Sequence, residues 1–254
     1  MSRSSFISQL RQKMMKSSNI DNYNVFCSSV IGPANRERGY EKQDAVMLRR
    51  VRSGWLAVVC DGLGSRKKSA WGARQACRAV KSAIENITLW FDEQEFCELV
   101  QQFWLNYIKP EKATDASTTC IVAYIDDFGC FNIAQLGDGL VLCKSDGELH
   151  VVTPERQSFS DQTCAMSNEL SVENWSFYEG EIKRAGDGIV LMTDGVSEDI
   201  DSQRFVDFFT TLYEDTYKLK RRTMSRNITQ QLHDWPTQGH SDDKSLAGIF
   251  RIKS

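Results

Sequence analysis

Cys60-Asp61-Gly62-Leu63-Gly64-Ser65 is the stretch on which the reading of this chain turns. It follows the apolar run 55–60 and precedes a helical pattern that begins near Ser69. A carboxylate at the end of a buried strand, followed by two glycines, lets side chain and backbone approach a ligand together. Such a place suits a hard cation or a phosphate, and the stretch alone leaves both open.

Working outward, residues 23–31 read as a strand closed by Gly32-Pro33. The polar loop expected over 34–42 carries Arg36 and Arg38, and strands are expected over 45–51 and 55–60. Downstream, Ala70, Ala73, Cys77, Val80, Ile84 and Ile87 recur every three or four residues, which is one buried helix face. Phe96, Leu99, Val100, Phe103 and Tyr107 repeat that pattern before Pro110 stops it. The period then changes to strands over 117–125, 130–136, 140–144 and 148–152, separated by Asp/Gly turn chemistry. Residues 154–173 read as a polar surface excursion, and strands return over 175–182 and 188–192. Helices over 200–217 and 223–235 precede a last strand over 245–252. Strands outnumber helices, and the helices fall in pairs between strand runs. That predicts an α+β fold of mainly antiparallel sheet rather than a doubly wound one.

Composition narrows the function classes. The 254 residues can bury a sizeable core in one domain, read here as 23–254 after an N-terminal arm over 1–22. The arm is basic, with Arg3, Arg11, Lys13 and Lys16, and places Phe6, Ile7, Leu10 and Met14 at helical spacing. A net charge of −3 gives no electrostatic case for nucleic acid. No apolar run approaches a membrane span. The eight cysteines form no CxxC pair or zinc spacing, which points to a reducing, cytoplasmic location and a monomer without disulfides.

Five aspartates share one context at strand ends or turns: Asp44, Asp61, Asp138, Asp194 and Asp243. Singly each is ordinary turn punctuation, and Gly137-Asp138-Gly139 reads best as a hairpin. Converged without cations they would repel one another and hold protons, a difficulty that all-oxygen ligation of Mg²⁺ or Mn²⁺ removes. P-loop, HExxH, EF-hand and GxSxG patterns are missing from the sequence.

Gln43-Asp44-Ala45, Asp61-Gly62-Leu63-Gly64-Ser65, Gly137-Asp138-Gly139, Thr193-Asp194-Gly195-Val196-Ser197-Glu198 and Asp242-Asp243-Lys244-Ser245 occur in a telling order. Together they resemble the PPM (PP2C-type) metal-dependent protein serine/threonine phosphatases, and most of all their compact bacterial branch, over residues 23–252. The resemblance implies a four-layer αββα sandwich, with two sheets face to face and a helix pair outside each. It implies two Mg²⁺ or Mn²⁺ ions bridged by Asp61, with the Gly62 carbonyl on one and Asp194 and Asp243 on the other. Asp44 would orient bound water, and Asp138 would join Asp194 around a third metal.

Attack by a metal-bridging hydroxide on phosphoserine or phosphothreonine would follow. The substrate would be a phosphorylated protein with a cognate kinase. Arg38 or Arg36 would bind its phosphate. Leu63 stands where many eukaryotic relatives carry a proposed acid, leaving leaving-group protonation to water or His240. Two other classes stay open at this point: a silent phosphoprotein-binding regulator and a small-molecule phosphatase.

Overall fold

The computed structural model describes residues 22–88, 91–153, 164–236 and 241–253. The expected arm lies outside them except for its last residue, as do His240 and the first half of the 154–173 excursion.

Two five-stranded antiparallel sheets stack face to face. One runs β1 (Tyr23–Val30), β10 (Lys244–Arg251), β9 (Gly188–Met192), β6 (Leu140–Ser145) and β7 (Glu148–Val151). The other runs β2 (Ala45–Val51), β3 (Gly54–Cys60), β4 (Cys120–Asp126), β5 (Cys130–Leu136) and β8 (Ser176–Glu181). Besides the short α1 (Pro33–Glu37) and α4 (Asp194–Ser197), four long helices flank them. These are α2 (Ser69–Asn86), α3 (Glu93–Tyr107), α5 (Phe205–Lys218) and α6 (Arg221–His233).

The alternation of β3 explains the layering. Trp55, Ala57 and Val59 face the opposite sheet, against Leu191, Ala247 and Ile249. Leu56, Val58 and Cys60 face α2 and α3, among Ala76, Val80, Phe96 and Trp104. A strand buried on both faces must be apolar throughout, as β3 is. On the far side, Phe26, Val190 and Phe250 meet Phe209, Leu212, Met224 and Ile228 of α5 and α6. Each large side chain so buried contributes about 1.5–3 kcal/mol.

Three expectations are corrected. Residues 33–37 form α1 instead of loop, because Pro33 stands at the helix start, where its missing N–H costs nothing. Gly137-Asp138-Gly139 is not a hairpin: β5 and β6 belong to different sheets, and the turn carries the chain from one to the other. Both glycines take positive φ (89° and 104°), a conformation that suits them, and side chains there would strike Thr119 and the Met192 carbonyl. The excursion is also less superficial than its composition suggests. Met166 is fully buried, and its N–H donates to the Thr118 carbonyl at 2.8 Å.

Register sets one edge apart. The C-terminal ends of β1, β3, β5 and β9 and the N-terminal ends of β2, β4, β6 and β10 lie along it. The opposite edge carries tight turns built by other acids. Asp126 accepts from the Phe128 and Cys130 N–H groups, and Asp187 from that of Gly147. β1 and β10 pair along their whole length, and the Ile252 N–H donates to the Asn22 carbonyl at 2.9 Å.

Gly72 of α2 lets the helix press on the segment before β4. A Cβ there would sit 1.7 Å from the Ala116 carbonyl oxygen, while the Gly72 carbonyl accepts from buried Trp104 Nε1 at 3.1 Å. Gly72→Ala is expected to cost roughly 1–3 kcal/mol, read as a lower urea midpoint at unchanged m-value; an unshifted midpoint would contradict this packing.

Candidate functional site

Antiparallel register brings the aspartates together. Ala45 pairs with Cys60, so one further step sets Asp44 beside Asp61, and their side chains are hydrogen-bonded. Leu140 pairs with Met192, so Asp138 and Asp194 both lie just beyond that end of the β6–β9 pair. Gly139 reinforces this, since a Cβ there would lie 2.7 Å from the Met192 carbonyl oxygen. Asp194 opens α4 and accepts from the Gly195 N–H at 2.7 Å.

Asp61 is held by its backbone. Its carbonyl accepts from Thr118 Oγ1 and the Thr119 N–H, both at 2.8 Å, and its N–H donates to Thr119 Oγ1 at 3.0 Å. Gly62 bridges Thr118, and a Cβ there would meet the Ser69 carbonyl carbon and the Gln43 carbonyl oxygen within 2.8 Å. Close backbone packing is thus a sufficient reason for glycine at this position.

Burial, joined by the charges of Asp44, Asp194 and Asp242, pushes the Asp61 carboxyl well above the usual carboxylate range. Asp44 is pushed up to about 7, chiefly by burial and further by Asp243. Hydrogen bonds from Ser245, Asp61 and Thr193 pull it partly back; Thr193 Oγ1 donates to Asp44 Oδ2 at 3.0 Å. The edge therefore concentrates carboxyl groups whose burial and mutual repulsion favour their protonated forms.

Asp243, the last of the aspartates that the resemblance names as metal ligands, lies just before β10. It is 1% exposed and turns both oxygens to backbone. Oδ1 accepts from the Gly32 N–H at 2.8 Å, and Oδ2 from the N–H groups of Gln43 and Asp44. Its neighbour Asp242 is among the charges that raise Asp61, and its Oδ1 accepts from the Asp243 N–H at 2.7 Å and from Asn35 Nδ2 at 3.4 Å.

Among the cations, Arg36 donates to the Ile31 carbonyl at 3.3 Å and lines a small cavity with Gly32, His233, Trp235 and Lys244. Arg38 is exposed at the end of α1. Sequence reading missed Lys42, half-buried beside Asp44 and Asp243, whose Nζ donates to the Ser29 carbonyl. Burial lowers the Lys42 ammonium, and the two carboxylates partly restore it. Lys244 is 1% exposed; burial lowers its ammonium too, against Asp199, Asp242, Asp243 and Asp44. As they stand, no three His, Cys, Asp or Glu side chains among the described residues are arranged to hold a metal ion by themselves.

Comparison with known proteins gives this edge a context. The protein phosphatase 2C family model matches residues 31–235. "Probable protein phosphatase 2C 26" of Arabidopsis thaliana is 26% identical over 184 residues, 70% of this chain; the chain thus spans 58% of that relative's length. Solved structures share the fold at low identity. The photosystem II phosphatase PBCP has TM-score 0.65 at 15% identity, covering 91% of this chain and 99% of that one. The catalytic domain of the serine threonine protein phosphatase PstP, in complex with two manganese ions, has TM-score 0.62 at 16% identity, covering 91% and 99%. RsbX in complex with magnesium has TM-score 0.60 at 12% identity, covering 91% and 96%.

The raised carboxyls fix a pH dependence. In metal-free protein Asp44 costs nothing below its ordinary value of 3.8, and its cost grows as pH rises from there to about 7. Asp61 acts in the same direction. In EDTA, Asp61→Asn is expected to melt above the parent protein at pH 8, with the gap narrowing as pH falls toward 4. Calorimetry showing an equal gap at both pH values would contradict the assignment.

Proposed function

The chain belongs to the protein phosphatase 2C family, and from that premise we propose that it is a metal-dependent phosphatase acting on phosphoserine and phosphothreonine in proteins. One observation carries the reading: Asp61 is buried at the strand end beside Asp44, and burial, with the charges of Asp44, Asp194 and Asp242, drives its carboxyl toward the protonated form. Such crowding suits a centre completed by cations. The donors are all oxygen, which fits Mg²⁺ or Mn²⁺.

Asp61, the Gly62 carbonyl, Asp194 and Asp242 would hold two ions, and Asp138 would join Asp194 for a third. We give Asp242 the position that sequence reading assigned to Asp243. When bound, the ions would acidify water and offset charge on the phosphoryl oxygens. Asp44, aimed by Thr193 and Ser245, would accept a proton from water and orient it. Asp243 would keep the Gly32 and Gln43 backbone in place beneath. Arg38 is the better candidate for the substrate phosphate, since Arg36 is turned to the Ile31 carbonyl.

A phosphoprotein and its cognate kinase are the partners this reading calls for. A monomer in the cytoplasm suits the eight cysteines, all of them free thiols. No helix among the described residues is long and apolar enough to cross a membrane.

Dephosphorylation of a phosphothreonine peptide is expected to require Mn²⁺ or Mg²⁺ and to stop with EDTA; turnover without metal would sink the mechanism. Asp61→Asn and Asp194→Asn should abolish turnover with circular dichroism unchanged. Within the doublet, Asp242→Asn should weaken Mn²⁺ binding by calorimetry at unchanged metal-free melting temperature, whereas Asp243→Asn should lower that temperature. The reverse pattern would return the ligand role to Asp243. Arg38→Ala should raise KM with little change in kcat.

A further inference from the structure

A groove of about 840 Å³ opens between α5 and α6, at the N-terminal end of the first and the C-terminal end of the second. Its floor is apolar, with Ile200, Phe208, Leu212 and Trp235, the last two rings of which (Phe208 and Trp235) meet edge to face at 6.4 Å. Its rim is acidic: Asp199, Asp201, Asp207 and Asp234 stand there against the single cation Arg204. Trp235 Nε1 is buried without a hydrogen-bond partner among the described residues. An apolar floor with an acidic rim and a spare donor matches a basic segment carrying spaced apolar side chains.

The chain contains such a segment. Residues 1–21, outside the described residues, carry Arg3, Arg11, Lys13 and Lys16 with no acid before Asp21, and interleave Phe6, Ile7, Leu10 and Met14. The geometry of its attachment favours this occupant over a foreign one. Asn24, just inside β1, donates to the Thr216 carbonyl near the end of α5. From Thr216 back to Phe208 along the helix is about 12 Å, and residues 17–21 extended would span roughly 17 Å. The tether therefore reaches, and attachment to the same chain holds the segment near the groove at high effective concentration.

We propose that residues 3–16 dock in the α5–α6 groove of their own chain, apolar side chains on Phe208, Leu212 and Trp235 and basic ones on the rim. The proposal is independent of the catalytic reading. Its test is carbodiimide coupling of the full-length protein at low concentration, with the links mapped by mass spectrometry. Links from Lys13 or Lys16 to Asp201, Asp207 or Asp234 within one copy are expected, and Leu10→Glu should abolish them. An equal mixture of ¹⁵N-labelled and unlabelled protein distinguishes the other occupant. Mixed-isotope links would mean docking on a second copy and would overturn the proposal. So would links that survive Leu10→Glu, or links scattered over acids elsewhere on the surface.

Discussion

The buried carboxylate of Asp243 is the tie on which the acidic edge depends. From the start of β10 it accepts from the backbone of Gly32, after β1, and from Gln43 and Asp44, before β2. β1 and β10 belong to one sheet and β2 to the other, so one side chain fastens the two sheets where Asp44 and Asp61 emerge. Charge-assisted hydrogen bonds from backbone N–H groups are among the stronger ties available to a buried carboxylate. Glycine on both sides makes the approach possible, because a Cβ on Gly32 or Gly195 would lie about 2 Å from the Asp242 or Asp243 carbonyl oxygen.

Much of this was legible in the sequence, for a physical reason. Strands buried on both faces, such as β3, and helices with one buried stripe, such as α2, impose periods that survive in the residue order. The fold class and the cluster of strand-end aspartates followed from those periods and from the resemblance they support. What escaped was decided by single-residue geometry. The glycines around Asp138 look like hairpin glycines, yet their positive φ angles serve a crossing between sheets. Lys42 joined the site through a contact with the end of β1, which no local pattern records.

The acids also divide by edge. Asp126 and Asp187, at the far edge, spend their oxygens on the N–H groups of their own turns and are thereby part of the turn. Asp44 and Asp61 instead face each other, with other carboxylates close by. The same residue type in the same Asp/Gly-rich context stabilises structure in one place and strains it in the other. The distinction lies in whether backbone donors or other carboxylates surround it.

The pairing of β1 with β10 closes the domain on itself. Asn22 and Ile252 are hydrogen-bonded neighbours, so the first and last strands meet side by side at the edge opposite the aspartates. A domain whose first and last strands meet can be joined there, from Asn22 to Ile252, by a short linker and reopened elsewhere without changing any strand neighbour. The two-residue turn at Asp146-Gly147, between β6 and β7, is the natural opening, being exposed and remote from the acidic edge. By the same geometry the domain can be spliced as a cassette into a surface loop of another protein, its acidic edge turned away from the host.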